Sequence, residues 1–237
     1  MKQLEICVDT IEGLAAAVEG GADRVELCSA LAVGGLSPSL ALLEAARACP
    51  VPVQVMVRPR DGDFLYGEEE LSGMEQEIEQ VRQMGLAGIV IGAGDADGLD
   101  LAALKRLCDA AQGLNSTLHR VVDLLADRST ILQPARDLGF SRILTSGGAK
   151  KAVDALSDLQ RLVTDAPAGL SIMPGSGVTA ENIKAILEAT GAQEIHASAA
   201  LPAEPPEKRL VELGFASGTR RKASAESVRQ LKAAMSA

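Results

Sequence analysis

Short apolar runs return along the chain at regular intervals, at residues 4–8, 24–28, 51–57, 88–92, 116–119, 142–145, 170–173 and 194–197. Each has the length of a buried strand. Most are followed by a stretch whose apolar positions recur with a helical period, at 10–19, 69–84, 101–111, 127–138, 153–164, 180–189 and 225–235. Eight strands alternating with helices in 237 residues predict an α/β fold of the closed (β/α)8 type, a TIM barrel, as a single domain over 1–237. An open doubly wound sheet is the alternative. When such a sheet holds a dinucleotide it carries a Gly-x-Gly-x-x-Gly turn after its first strand; none follows residues 4–8, and no nucleotide cofactor is expected. Residues 201–223, rich in Pro, Glu, Lys and Arg, have no clear periodicity and are expected to be an irregular segment before the last helix.

Barrel strands pack one face on helices, so the apolar phase of each run should point outward and the other phase into the interior. That assignment sends Glu5, Cys7, Asp9, Glu26, Cys28, Gln54, Met56, Arg58, Thr117, His119, Thr145, Met173, Glu194, His196 and Ser198 inward. The set is too polar for a filler core. Both histidines of the chain, His119 and His196, fall at strand carboxyl ends, where barrel active sites lie. Buried carboxylates at Glu5 and Glu26 require a cation, a metal or a proton, with Arg58, Arg60 or a histidine as expected partners.

Glu5-Ile6-Cys7 and Glu26-Leu27-Cys28 repeat one pattern, so two thiols and two carboxylates converge. Neighbouring strands lie about 4.8 Å apart, close enough for cysteines at equivalent strand ends to share a ligand. A thiol in that position acts as a small buried hydrophobe, as a nucleophile beside a cation, or as a soft-metal ligand; paired thiols suit Cu(I) best, and the Cys-x-x-Cys spacing usual for zinc is absent. Cys49 and Cys108 fall in helical stretches and read as packing residues.

Four segments read as anion sites. Arg58 and Arg60 flank Pro59 where the third run passes into a loop, two guanidinium forks suited to a carboxylate or phosphate. Gly175-Ser176-Gly177 follows the seventh run, and His196 and Ser198 end the eighth, the usual phosphate position of these barrels. Ser146-Gly147-Gly148 after the sixth run adds a further turn of amides. Each glycine turn also reads as a tight strand-to-helix connection and no more.

Composition narrows the partners. The chain is 47% hydrophobic but only 2% aromatic, which implies a core of aliphatic side chains. No run approaches the roughly 20 apolar residues of a membrane span, and Met1 leads directly into the first strand with no room for a signal peptide. A cytoplasmic location with reduced cysteines is expected, and no membrane contact. A net charge of −9 without a basic run argues against nucleic acid, leaving a small molecule, an anionic ligand or an ion as partner.

Leu4-Glu5-Ile6-Cys7, Gly20-Gly21-Ala22-Asp23-Arg24-Val25-Glu26-Leu27-Cys28, Gly34-Gly35-Leu36-Ser37-Pro38-Ser39, Arg58-Pro59-Arg60, Gly62-Asp63-Phe64, His119-Arg120, Leu144-Thr145-Ser146-Gly147-Gly148 and His196-Ala197-Ser198-Ala199 together resemble the copper homeostasis protein family CutC. The match runs from Leu4 to about Ala199 in order. The resemblance implies a TIM barrel, a cytoplasmic location, a homodimer or homotetramer, and a copper role in which Cys7 and Cys28 match the cysteines proposed to bind Cu(I). Leu65 stands where the family often has another cysteine.

Two functions therefore stay open. One is a cytosolic Cu(I) carrier using Cys7 and Cys28. The other is a lyase, isomerase or epimerase acting on a small phosphorylated or carboxylated compound, with Glu5, Glu26, His119 and Asp123 as acid–base groups and Arg58 and the Gly175 turn holding the anion. A purely structural role, with the mouth closed by salt bridges, is third.

Overall fold

The computed structural model describes residues 2–219 and 221–236. Met1, which the sequence reading sets directly before the first strand, lies outside them, as do Arg220 and Ala237. Strand and helix alternate as β1 (Gln3–Val8), α1 (Ile11–Gly20), β2 (Arg24–Leu27), α2 (Leu40–Ala46), β3 (Val53–Met56), α3 (Glu68–Gln83), β4 (Gly88–Ile91), α4 (Leu101–Ala110), β5 (Asn115–Leu118), α5 (Leu132–Asp137), β6 (Arg142–Thr145), α6 (Leu156–Asp165), β7 (Ser171–Pro174), α7 (Ile183–Thr190) and β8 (Glu194–Ala197). After β8 come β9 (Ala200–Pro202), α8 (Lys208–Glu212), β10 (Arg221–Ala223) and α9 (Ala225–Ser236). The first eight strands are parallel and hydrogen-bonded in the order β7-β6-β5-β4-β3-β2-β1-β8. β7 and β8 then lie side by side, which leaves a nearly closed barrel.

Outward strand residues such as Leu4, Ile6, Val25, Ile89, Leu118 and Ile195 are fully buried against helix residues including Leu14, Ile78 and Leu104. Each such side chain contributes about 1.5–3 kcal/mol on burial, so the helical ring is held on by aliphatic packing. Local caps set the helix starts: Thr10 Oγ1 accepts from Gly13 N at 2.9 Å, and Asp100 Oδ1 accepts from Ala103 N at 2.9 Å. α9 closes the ring against α1, where a Cβ on Gly20 would stand 2.3 Å from Val228 Cβ, so only glycine allows the contact.

Three local expectations need correction. The helix expected over 127–138 is a 3-10 turn at Arg128–Ile131 followed by α5. Pro134 is the cause, because its ring opposes the carbonyl four residues back and it has no N–H to bond there. α2, capped by Ser39, was not foreseen; its Leu40–Ala46 is only 7 residues long. The segment 201–223 is not irregular throughout: β9 and β10 pair antiparallel, Ala200 opposite Ala223, and α8 lies between them. Among the described residues no helix is long and apolar enough to cross a membrane.

Candidate functional site

Register decides which side chains meet inside the barrel. β1 and β2 pair with Cys7 opposite Glu26, and β1 and β8 pair with Glu5 opposite His196. Toward the amino-terminal end, Arg24 donates to Glu5 and Glu194, while Arg142 donates to Glu194 Oε2 at 3.2 Å and to Thr117 Oγ1 at 3.0 Å. Sequence reasoning missed both arginines. Arg24 shares the phase of Glu26 and was therefore legible as inward; instead Arg58 and Arg60 were expected as partners. Thr145 is a correction in the opposite sense, since it shares the phase of Ile143 and packs with Val122, Ile131 and Leu162 outside the strands.

Above this ion network His196 is enclosed by acids. Its Nδ1 lies 2.9 Å from Glu5 Oε1 and its Nε2 lies 3.6 Å from Glu26 Oε2. Cys7, Glu26 and His196 each hold a ligand atom within 4.8 Å of the other two, and all three are buried. Cys7 at 7% exposure and His196 at 8% are buried but not wholly closed off. The two thiols are staggered rather than level, because Cys7 is opposite Glu26 and Cys28 lies two residues farther along β2's course. Cys28 is fully buried beside Met56 and Val90. No cysteine among the described residues forms a disulfide.

The cluster separates its protons. Burial alone would raise Glu5, but the His196 hydrogen bond and the Arg24 charge outweigh it and hold the carboxyl at about 2. Burial raises Glu26 to about 7, with the Glu5 charge adding to the rise and His196 opposing it. Burial disfavours a charged His196, yet the neighbouring Cys7 and Glu26 groups and the hydrogen bonds to Cys7 and Glu5 hold it well above its ordinary value. Burial and the Glu26 charge push the Cys28 thiol well up. Glu26 Oε1 is buried without a hydrogen-bond partner.

His119 stands apart from this cluster, at the carboxyl end of β5 and beneath Phe64, with ring centroids 4.9 Å apart. A Cβ on Gly92 would lie 2.3 Å from His119 Cε1, so glycine makes room for the ring. Burial and the Arg58 charge depress His119 to about 3.

Other expected site residues are already engaged. Asp123 accepts from Thr145 Oγ1 at 2.5 Å, from Ser146 N at 3.1 Å, from Ser146 Oγ at 2.8 Å and from Gly148 N at 3.0 Å, and it pairs with Arg120 at 2.7 Å. Gly147 N is taken by Thr145 Oγ1 at 2.9 Å. The Ser146-Gly147-Gly148 turn is thus an anion site filled by the protein's own Asp123, which leaves neither the turn for a ligand nor Asp123 as an acid–base group. Arg60 pairs with Asp63 and Glu70, so it is no free clamp. His196 lies among acids, the wrong surroundings for an anion ligand. The Gly175 turn is tied down by Gly175 N to Thr145 O at 2.9 Å and by Ser176 Oγ to Lys150 O at 2.8 Å. Ser198 is exposed.

The CutC family model matches residues 2–201. The chain belongs to the CutC family. Among its CutC relatives, family protein CutC from Rhizobium meliloti (strain 1021) is 48% identical over 235 residues, 99% of this chain and 96% of that one. The CutC protein of Caulobacter vibrioides (strain NA1000 / CB15N) is 47% identical over 237 residues, 97% of each chain. A crystal structure of a CutC protein from Streptococcus agalactiae, named for copper homeostasis, is similar with a TM-score of 0.79 and 32% identity, covering 84% of this chain and 99% of that one. CutC membership and the TIM barrel expected from the sequence therefore stand.

Proposed function

We propose that this CutC protein binds Cu(I) as cargo through Cys7 and His196, with Glu26 at the same point and Cys28 alongside. The observation that carries the reading is the approach of the Cys7, Glu26 and His196 ligand atoms to within 4.8 Å of one another. A thiolate with an imidazole suits a soft monovalent ion, and the copper homeostasis name of the Streptococcus agalactiae protein agrees with it. Loading requires His196 to give up its Nε2 proton and Cys7 its thiol proton, while Nδ1–H keeps its bond to Glu5. Glu26, whose Oε2 lies 3.6 Å from Nε2, is the carboxylate placed to accept such a proton. The site differs from a simple pair of thiols, since the histidine, not Cys28, completes the cluster. We place the protein in the cytoplasm, as a homodimer or homotetramer.

Titration of the reduced protein with Cu(I) against a chromophoric chelator tests this. Cys7→Ser and His196→Ala should each weaken retention by orders of magnitude, and Cys28→Ser by much less. Retention indifferent to both Cys7 and His196 would remove the reading.

A second reading rests on Glu26, held at about 7 beside an imidazolium and with one free oxygen, which is the state of a general acid–base group near neutral pH. It makes the protein a lyase, isomerase or epimerase of a small acidic metabolite.

A further inference from the structure

Among the described residues three arginines are buried, and Arg58 differs from the other two. Arg24 and Arg142 are ion-paired with glutamates, whereas the Arg58 guanidinium meets no carboxylate among the described residues. Its Nη1 donates to Val33 O at 2.9 Å and Gly35 O at 3.2 Å, and its Nη2 donates to Gly62 O at 3.1 Å. Those carbonyls hold the fork without neutralising it. Its Nε is buried with no hydrogen-bond partner, its charge acts on the Tyr66 hydroxyl, which is likewise buried and unpartnered, and its face lies 4.7 Å from the centre of the Phe64 ring.

The same Phe64 ring covers His119. His119 Nδ1 accepts from Val121 N at 3.2 Å, so in the neutral ring the proton is on Nε2. That Nε2 is also buried without a partner. Two unsatisfied N–H donors, one on a cation lacking a counter-ion, thus flank one aromatic ring at the carboxyl ends of β3 and β5. Protein interiors seldom leave buried donors unmade, still less a buried charge unpaired.

We propose that Arg58 Nε–H and His119 Nε2–H form a subsite beneath Phe64 for the carboxylate of a small organic acid. A carboxylate supplies what the pair lacks, a negative charge and two acceptor oxygens in one plane. Phosphate suits it less, because most of the other guanidinium donors are committed to carbonyls and a neutral histidine adds one more donor only. The subsite deepens the acid–base reading by naming the substrate class, and it is independent of the metal reading.

The chain has two histidines, so their ring nitrogens are separable by 15N–1H spectroscopy. Wild-type protein is titrated with sodium acetate at pH 7 and constant ionic strength, with sodium chloride and inorganic phosphate as controls. The His119 Nε2 signal should shift saturably with acetate and far less with chloride or phosphate. Arg58→Lys, which keeps the charge but loses the Nε–H, should weaken acetate at least about tenfold. An unmoved His119 signal in the wild-type protein, or one that moves equally with chloride, would overturn the subsite whether or not the variant folds; an equal response to phosphate would overturn its carboxylate preference. Acetate does not turn over, so binding without any turnover of organic acids would count against the acid–base reading alone.

Discussion

His196 Nδ1 lies 2.9 Å from Glu5 Oε1, while Glu5 also receives Arg24 from the side away from the ring. A carboxylate that stays ionised down to about pH 2 therefore holds Nδ1–H in place and turns Nε2 toward Glu26 and Cys7. Ligating histidines in metal sites are commonly oriented by such a carboxylate.

Glu5→Gln should consequently weaken Cu(I) binding by about 10–100-fold, the usual effect of losing an outer partner of a ligating histidine. Chelator competition on the folded variant measures it. Unaltered affinity would mean that Glu5 serves only the ion network with Arg24.

Arg24 serves Glu5 and Glu194 together. Arg24→Met should destabilise the barrel by about 3–5 kcal/mol, because it leaves two carboxylates in the interior with less positive charge. Urea unfolding reads the loss, and a cost below about 1 kcal/mol would show that the network relaxes around Arg142.

Asp123 fills the turn after β6 with bonds to Thr145, Ser146 and Gly148. Asp123→Ala should cost about 2–4 kcal/mol, since bonds to a charged acceptor are each worth about 1.5–3 kcal/mol and the freed amides regain only water. In a domain of this size that lowers Tm by roughly 4–16 °C. Lost stability with inorganic phosphate restoring it would identify the turn as an anion cradle in its own right.

His119 is depressed from 6.5 to about 3. Below pH 6.5 the unfolded chain protonates this histidine and the folded one does not, so its contribution is present above that pH and is lost as pH falls toward 3. Glu26 works in the opposite direction between 4.5 and about 7, which hides the slope in the wild-type protein. The difference in unfolding free energy between wild type and His119→Gln isolates it, and should fall against the wild type by about 1.4 kcal/mol for each pH unit below 6.5. A pH-independent difference would mean that the folded chain protonates His119 as readily as the unfolded one.

The periodicity of apolar runs was enough to predict eight strands, most of their helices and a closed barrel with an open sheet as the alternative, because outward Leu4, Ile6 and Val25 must meet helices whatever the rest does. The same alternation sent Glu5, Cys7, Glu26 and His196 inward, and local motifs were enough for the CutC resemblance. Which inward groups became partners was decided by strand register and packing. Register put Cys7 opposite Glu26 and Glu5 opposite His196, displaced Cys28 from Cys7, and brought Arg24 rather than Arg60 to Glu5. Asp123 closing its own glycine turn and Phe64 covering both His119 and Arg58 were equally beyond sequence spacing. Alternation is a property of one strand, whereas partnership depends on how eight strands tilt and slide against each other, and on loops that fold back over the barrel's mouth.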